Sequence, residues 1–172
     1  MLHNPYKVVQ MFEEEIAYYT GAPYAISVNS CTNALFLACK WVGVEGKEVI
    51  FPVFDAAKRL TSDMYIPGSL MCLSFHIKKH LKIGKGGMIL TDDAAAADWI
   101  KARRYEGRTA GVAYHKDNID EGGWNMYMTP EQAVRGLMLM QNYPEHMPDL
   151  PEDPPYRDLT EFDLFKNIEV RK

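Results

Sequence analysis

The sequence predicts an α/β protein built on a mainly parallel sheet. Three observations carry this expectation. Short apolar runs of strand length, at residues 24–28, 48–54, 70–75 and 86–91, are separated by segments with helical spacing of apolar residues. The first run passes through a small polar turn into an Ala- and Leu-rich helix, an order that leaves backbone N–H groups free at the helix start. The chain has 172 residues, 47% hydrophobic and 24% charged, enough for one domain with a true core and ordinary for a globular chain.

Taken in order, the first helix is expected to start after Asn4, with Pro5 at its first position. Val8, Val9, Phe12, Ile16 and Tyr19 form its apolar face, and Glu13, Glu14 and Glu15 lie mostly off that face. Gly21 suits a left-handed cap. Residues 24–28 read as a buried strand, 29–33 as the polar turn and 34–42 as the next helix. Residues 48–54, 70–75 and 86–91 read as further strands. Asp92 or Asp93 can cap a helix running to Arg104, with Gly107 beyond its end. Thr129-Pro130-Glu131-Gln132 has the capping-box spacing with Pro at the first helical position, and that helix should reach about Asn142. Two regions follow: residues 1–143 as the folded body, and residues 144–172 as a Pro-rich acidic arm ending in a short segment that carries Phe162, Leu164, Phe165 and Ile168.

The net charge of −4 gives no electrostatic basis for a nucleic-acid or anionic-membrane partner. Three cysteines, Cys31, Cys39 and Cys72, with no CxxC pair, argue against a disulfide framework and a structural zinc site and fit a reducing, cytoplasmic setting. Met1-Leu2-His3-Asn4-Pro5 lacks the basic-then-apolar pattern of a secretory leader. The uncharged stretch 16–39 is broken by Gly21, Pro23, Asn29 and Asn33 and does not read as a membrane span. His76 and His80 are spaced i, i+4, but in a strand-and-loop context with no obvious third ligand, so no metal site is expected.

Three segments hold chemistry-bearing residues: Ser30-Cys31-Thr32-Asn33-Ala34-Leu35; Phe54-Asp55-Ala56-Ala57-Lys58; and Ser74-Phe75-His76-Ile77-Lys78-Lys79-His80-Leu81 followed by Gly84-Lys85-Gly86-Gly87-Met88. Each alone has a plain structural reading. Ser30 and Thr32 are good helix caps, Asp55 suits a turn, Lys78-Lys79 a solvated patch, and the glycines a hairpin.

Together and in this order they resemble the DegT/DnrJ/EryC1/StrS family of sugar aminotransferases. The resemblance continues in Phe12-Glu13-Glu14-Glu15, in Tyr19-Thr20-Gly21, in residues 43–52 (GVEGKEVIFP) and in Gly123-Trp124-Asn125-Met126-Tyr127-Met128, which is similar to the family's GYNYRM motif. It covers roughly residues 8–141. It implies a fold-type-I, pyridoxal-phosphate-dependent transferase that moves an amino group from a donor, commonly glutamate, to a nucleotide-linked keto-sugar.

By the same resemblance Lys79, five residues after Ser74, falls on the lysine that carries the cofactor. Ser74 falls on a hydroxyl that bonds its phosphate. Cys31 and Thr32 match the Gly-Thr of the phosphate loop, with Cys in place of the usual Gly. Asp55 matches the carboxylate beside the pyridine nitrogen, and Lys58 stands where the family has Gln or His near the phenolic oxygen. Asn125 matches an asparagine that reaches the phosphate of a partner subunit, which implies a homodimer. Members of the family are considerably longer. The long segment expected between Pro52 and Asp55, with the ring-stacking aromatic, is bridged here by Val53-Phe54, and the small C-terminal domain expected after about Tyr143 is replaced by the Pro-rich arm. A shortened aminotransferase is therefore weighed against a non-catalytic remnant serving as a dimerising or scaffold protein. A third reading, a sugar dehydratase, is opposed by Lys79, because related dehydratases carry His there.

Overall fold

The computed structural model describes residues 4–44, 53–119, 121–152, 154 and 161–162. Its elements are α1 (Lys7–Thr20), β1 (Tyr24–Val28), α2 (Cys31–Val44), β2 (Val53–Asp55), β3 (Leu70–Ser74), β4 (Gly87–Thr91), α3 (Ala94–Arg103), a 3-10 turn (Tyr114–Lys116) and α4 (Pro130–Met140). Of the expected strand at 48–54, only the last part lies within the described residues. The expected segment at 159–172 lies outside them apart from residues 161 and 162.

The termini follow from local chemistry. Asn4 Oδ1 accepts from Tyr6 N at 3.0 Å and Asn4 O from Lys7 N, so Pro5 and Tyr6 form a turn and α1 starts two residues later than expected. Gly21, at φ 74°, ends α1 in the left-handed region. The second helix begins at Cys31, three residues earlier than the sequence implies. Ser30 Oγ accepts from Asn33 N at 3.1 Å and Ser30 O from Ala34 N, so the polar residues 31–33 form the helix's first turn instead of a loop. Asp93 caps α3 through Ala95 N and Ala96 N, and the Thr129/Gln132 capping box starts α4.

The four strands lie in the order β1-β4-β3-β2. The α/β class holds, but the expectation of a mainly parallel sheet needs correction: β2 pairs parallel with β3, while β4 is antiparallel to both β1 and β3. Three strands share one direction and β4 alone is reversed. The cause is the β3–β4 connection. Residues 75–86 form a folded-back loop, with Gly84 N bonding Phe75 O and Phe75 N bonding Gly86 O. They contain no crossover helix, which a parallel return would need.

The sheet is covered on both faces. Phe12, Ile16, Met71, Leu73, Met88, Leu90 and Ala133 form one core, against α1 and α4. Ile26, Val28, Leu37, Leu70, Cys72, Ile89 and Ile100 form the other, against α2 and α3. Close packing of α1 on α4 depends on Gly136, where a Cβ would stand 2.6 Å from the Phe12 ring.

Glu13 was expected off the apolar face, yet it is buried. Its Oε1 accepts from Ser27 N at 2.9 Å and Ser27 Oγ at 2.7 Å, and it forms a short ion pair with Arg104 Nη1. The same nitrogen donates to Ser27 O. A charge at a helical position next to the core is tolerated because the end of α3 brings the compensating guanidinium.

Residues 144–152 of the acidic arm form no regular element. They run beside residues 58–62: Ser62 N bonds Glu145 O, Leu150 N bonds Lys58 O, and Met147 N bonds Thr61 Oγ1.

Candidate active site

The three co-oriented strands end at one edge of the sheet, where ligands of α/β proteins commonly bind. Asp55 is the last residue of β2 and Ser74 the last of β3, and Asn29 follows β1 directly. Cross-strand register fixes the faces. Asp55 is level with Cys72 and Ser74 with Gly87, and residues directly opposite each other share a face. Cys72 packs in the α2/α3 core, so Asp55 and Ser74 both present to the side on which α2 begins.

Gly87 makes that approach possible. A Cβ at this position would stand 2.5 Å from Ser30 C and 2.6 Å from Cys31 N. Only glycine lets the first turn of α2 lie against the sheet beside Ser74. The start of α2 keeps donors available. Asn33 N and Ala34 N are taken by Ser30. Among the described residues no acceptor is recorded for the N–H of Cys31 or Thr32, and Thr32 is exposed. These N–H groups, the hydroxyls of Thr32 and Ser74, and the positive end of the helix dipole suit an oxyanion.

The cysteine that replaces the family's glycine does not block this corner. Its Sγ lies 3.5 Å from Cys72 O and 3.9 Å from Asp55 Oδ1, so the side chain turns toward β2 and β3. Burial, and then the Asp55 charge, push the Cys31 thiol up to about 12, against the opposing ammonium of Lys79. Lys79 thus stands close enough to Cys31 to be felt there electrostatically. It is half-buried, whereas Lys78 is exposed. The Lys79 N–H bonds His76 O at 2.8 Å within the β3–β4 loop. Asp55 Oδ1 accepts from Ala57 N at 3.0 Å.

All three cysteines are unpaired thiols, and only Cys39 is exposed. Burial raises the Cys72 thiol as well. At neutral pH, Cys31 should hold far less thiolate than a free cysteine. Brief treatment with iodoacetamide followed by peptide mass mapping should therefore label Cys39 well before Cys31 or Cys72. Labelling of Cys31 first would contradict this environment.

Two residues singled out in the sequence stand beside this cluster. Lys58 Nζ pairs with Glu152 of the acidic arm at 2.9 Å, and Lys58 O accepts from His80 Nε2 at 3.1 Å and from Leu150 N. Asn125 is exposed and bonds Glu106 through its side chain. Its neighbourhood is tied to the end of β1 by Asn29 N bonding Met126 O at 2.8 Å. His76 Nδ1 accepts from Lys78 N and His80 faces Lys58, so the two histidines serve the loop separately.

Sequence reasoning missed the roles of four residues. Gly87 was visible only as part of a glycine-rich turn. Glu106 carried no motif. The Glu13–Arg104 pair joins residues far apart in sequence, although Glu13 sat inside a recognised motif.

The doubly covered sheet, with a helix start, a carboxylate and a lysine loop converging on one edge, defines the chain as an α/β protein of the fold-type-I aminotransferase architecture. The chain belongs to the DegT/DnrJ/EryC1/StrS aminotransferase family, which it matches over residues 1–57 and 66–148. It is 58% identical over 214 aligned positions to the spore coat polysaccharide biosynthesis protein SpsC of Bacillus subtilis (strain 168), covering 75% of this chain and 55% of that protein. The chain thus spans about half the length of this relative. The alignment is also longer than the chain itself, so it is bridged by gaps. Among solved structures, the fold is similar to the aminotransferase from Psychrobacter cryohalolentis, with TM-score 0.66, 16% identity, and coverage of 78% of this chain and 56% of that one. It is also similar to the sugar aminotransferase CalS13 from Micromonospora echinospora, with TM-score 0.63, 15% identity, and coverage of 82% and 61%. Among the described residues no helix is long and apolar enough to cross a membrane.

Proposed function

We propose that the chain is a pyridoxal-phosphate-dependent aminotransferase that moves the amino group of glutamate to a nucleotide-linked keto-sugar for polysaccharide biosynthesis. The observation that carries this reading is the convergence of Asp55, Ser74, Lys79 and the start of α2 on one sheet edge. The donor set fits the cofactor. Ser74, Thr32 and the N–H groups of Cys31 and Thr32, which have no acceptor among the described residues, suit its phosphate, and the opening at Gly87 keeps that corner from being filled by a side chain.

Bound there, the cofactor would supply the electron sink for breaking the Cα–H bond of the amino donor. Asp55 holds the proton on the pyridine nitrogen by its charge. Lys79 Nζ would hold the cofactor and, as a free amine, would take and return the proton at the donor and acceptor carbons. Lys58 would serve the cofactor's phenolic oxygen, the position the resemblance gives it. Asn125 serves the phosphate of a second copy, so the working unit is a homodimer, and sedimentation velocity at micromolar concentration should return a dimer. A monomer throughout would oppose that part of the reading. Residues 1–143 form the reduced cofactor-binding domain and residues 144–172 the acidic arm, and three unpaired thiols fit a reducing cytoplasm.

Release of 2-oxoglutarate from glutamate by the PLP-supplied protein tests the activity. Within that assay, Asp55→Asn should retain most PLP binding but lose roughly 10²–10³-fold in rate, the scale of a lost electrostatic stabiliser. A variant as fast as the parent would remove Asp55 from the mechanism. One second reading, a non-catalytic remnant that dimerises or scaffolds, is favoured by Val53-Phe54 bridging Pro52 to Asp55, where the resemblance implies a longer segment with the ring-stacking aromatic. That reading predicts no 2-oxoglutarate at any PLP concentration.

A further inference from the structure

Glu106 has φ 62°, a left-handed backbone that L-residues other than Asn and Asp seldom adopt. Its surroundings impose that conformation. The next residue, Gly107, has φ 82°, and a Cβ there would stand 2.0 Å from Glu121 O. A Cβ on Gly123 would stand 2.4 Å from Gly107 N and 2.5 Å from Arg103 O. Two backbone segments therefore cross at glycine-only contact distance. Glu106 N bonds Trp124 O at 3.1 Å, Trp124 N bonds Arg103 O, and Tyr105 bridges Asn125. The crossing brings the Glu106 carboxylate to Asn125, with Nδ2 donating to Oε1 at 3.1 Å. A carboxylate only accepts, so the atom facing it must be the amide nitrogen. This fixes the rotation of the Asn125 amide and leaves one N–H for an outside acceptor.

A glycine at position 106 would hold the same backbone without strain. What glutamate adds is the carboxylate on Asn125. We propose that Glu106 is a positioning residue, one that orients the Asn125 amide so that its remaining N–H meets an oxyanion, the cofactor phosphate of a second copy. The inference rests on the reading of Asn125 given above.

PLP titration followed by absorbance, paired with thermal melting of the same samples, tests it on the full chain. Glu106→Gly and Glu106→Ala should each weaken PLP binding by about tenfold, the scale of one hydrogen bond to a charged group. Glu106→Gly should melt at or above the parent temperature, because the strain is relieved while the orientation is lost. Glu106→Gln keeps an acceptor and should restore binding. A purely structural role would instead lower the melting temperature together with affinity, without rescue by Gln. That result overturns the inference, as does parent-like or tighter binding in Glu106→Gly and Glu106→Ala. A parent that takes up no PLP overturns the site reading itself, and this inference with it.

Discussion

Replacing Lys79 with alanine is expected to end amino transfer, whereas Lys78→Ala should leave most of it. The two lysines are adjacent but face different surroundings. Lys79 is half-buried, and its charge reaches Cys31 beside Asp55. Lys78 is exposed. Under the proposed function, loss of the proton-transfer group alone should cost about 10²–10⁴ in rate, and the aldehyde form of the cofactor would lose its covalent anchor. The measurement is single-turnover release of 2-oxoglutarate from glutamate by each PLP-supplied variant. Equal losses in both variants would mean that the loop supplies only diffuse positive charge.

The largest expected effect on stability lies away from that edge. Glu13→Ala would leave the Arg104 guanidinium without its carboxylate, at side-chain exposures of 13% for Arg104 and 10% for Glu13. It would also remove the acceptor shared by Ser27 N and Ser27 Oγ. Breaking one side of a buried pair costs about 3–5 kcal/mol, while replacing both sides with apolar groups of similar volume is often close to neutral. Urea unfolding should show Glu13→Ala and Arg104→Ala each destabilised on that scale, and the double variant Glu13→Leu/Arg104→Met well above either single. Single-variant losses under about 1 kcal/mol would place the pair among surface ion pairs. Because this network ties α1, β1 and the end of α3, it also supports the turn that leads on to Glu106 and Asn125.

What could be read from the sequence was mostly local. The Gly21 cap, the Asp93 cap and the Thr129 box depend on residues within four positions of one another, and each is found where expected. The start of α2 was misplaced by three residues because Cys31, Thr32 and Asn33 look like turn residues. Ser30, which closes the turn through Asn33 N, decides the matter. The sheet was read as mainly parallel because apolar runs alternate with helices. The reversal of β4 depends on how residues 75–86 fold back, and hydrophobic patterning carries no sign of direction.

The candidate site residues come from motif resemblance, and the placing of Asp55 and Ser74 on one face follows from register. Asp55 lies opposite Cys72 and Ser74 opposite Gly87. The long-range pairs were not legible. Glu13 finds Arg104 across 91 positions of sequence, and Glu106 finds Asn125 across 19. In both cases a polar residue without local function becomes intelligible only when the fold supplies its partner. The Gly for Cys exchange at position 31 shows the converse. Cys stands there in place of the usual Gly, and only the structure shows that its side chain turns toward Cys72 O and Asp55.

The central claim is that this sheet edge holds pyridoxal phosphate on Lys79. The most direct measurement is borohydride reduction of the purified protein incubated with PLP, followed by peptide mass mapping. The expected result is a visible absorbance band that borohydride discharges, with the phosphopyridoxyl mass on Lys79, lost in Lys79→Ala and kept in Lys78→Ala. The absence of any band, or label spread over exposed lysines with none preferred, would contradict the claim and leave the remnant reading in its place.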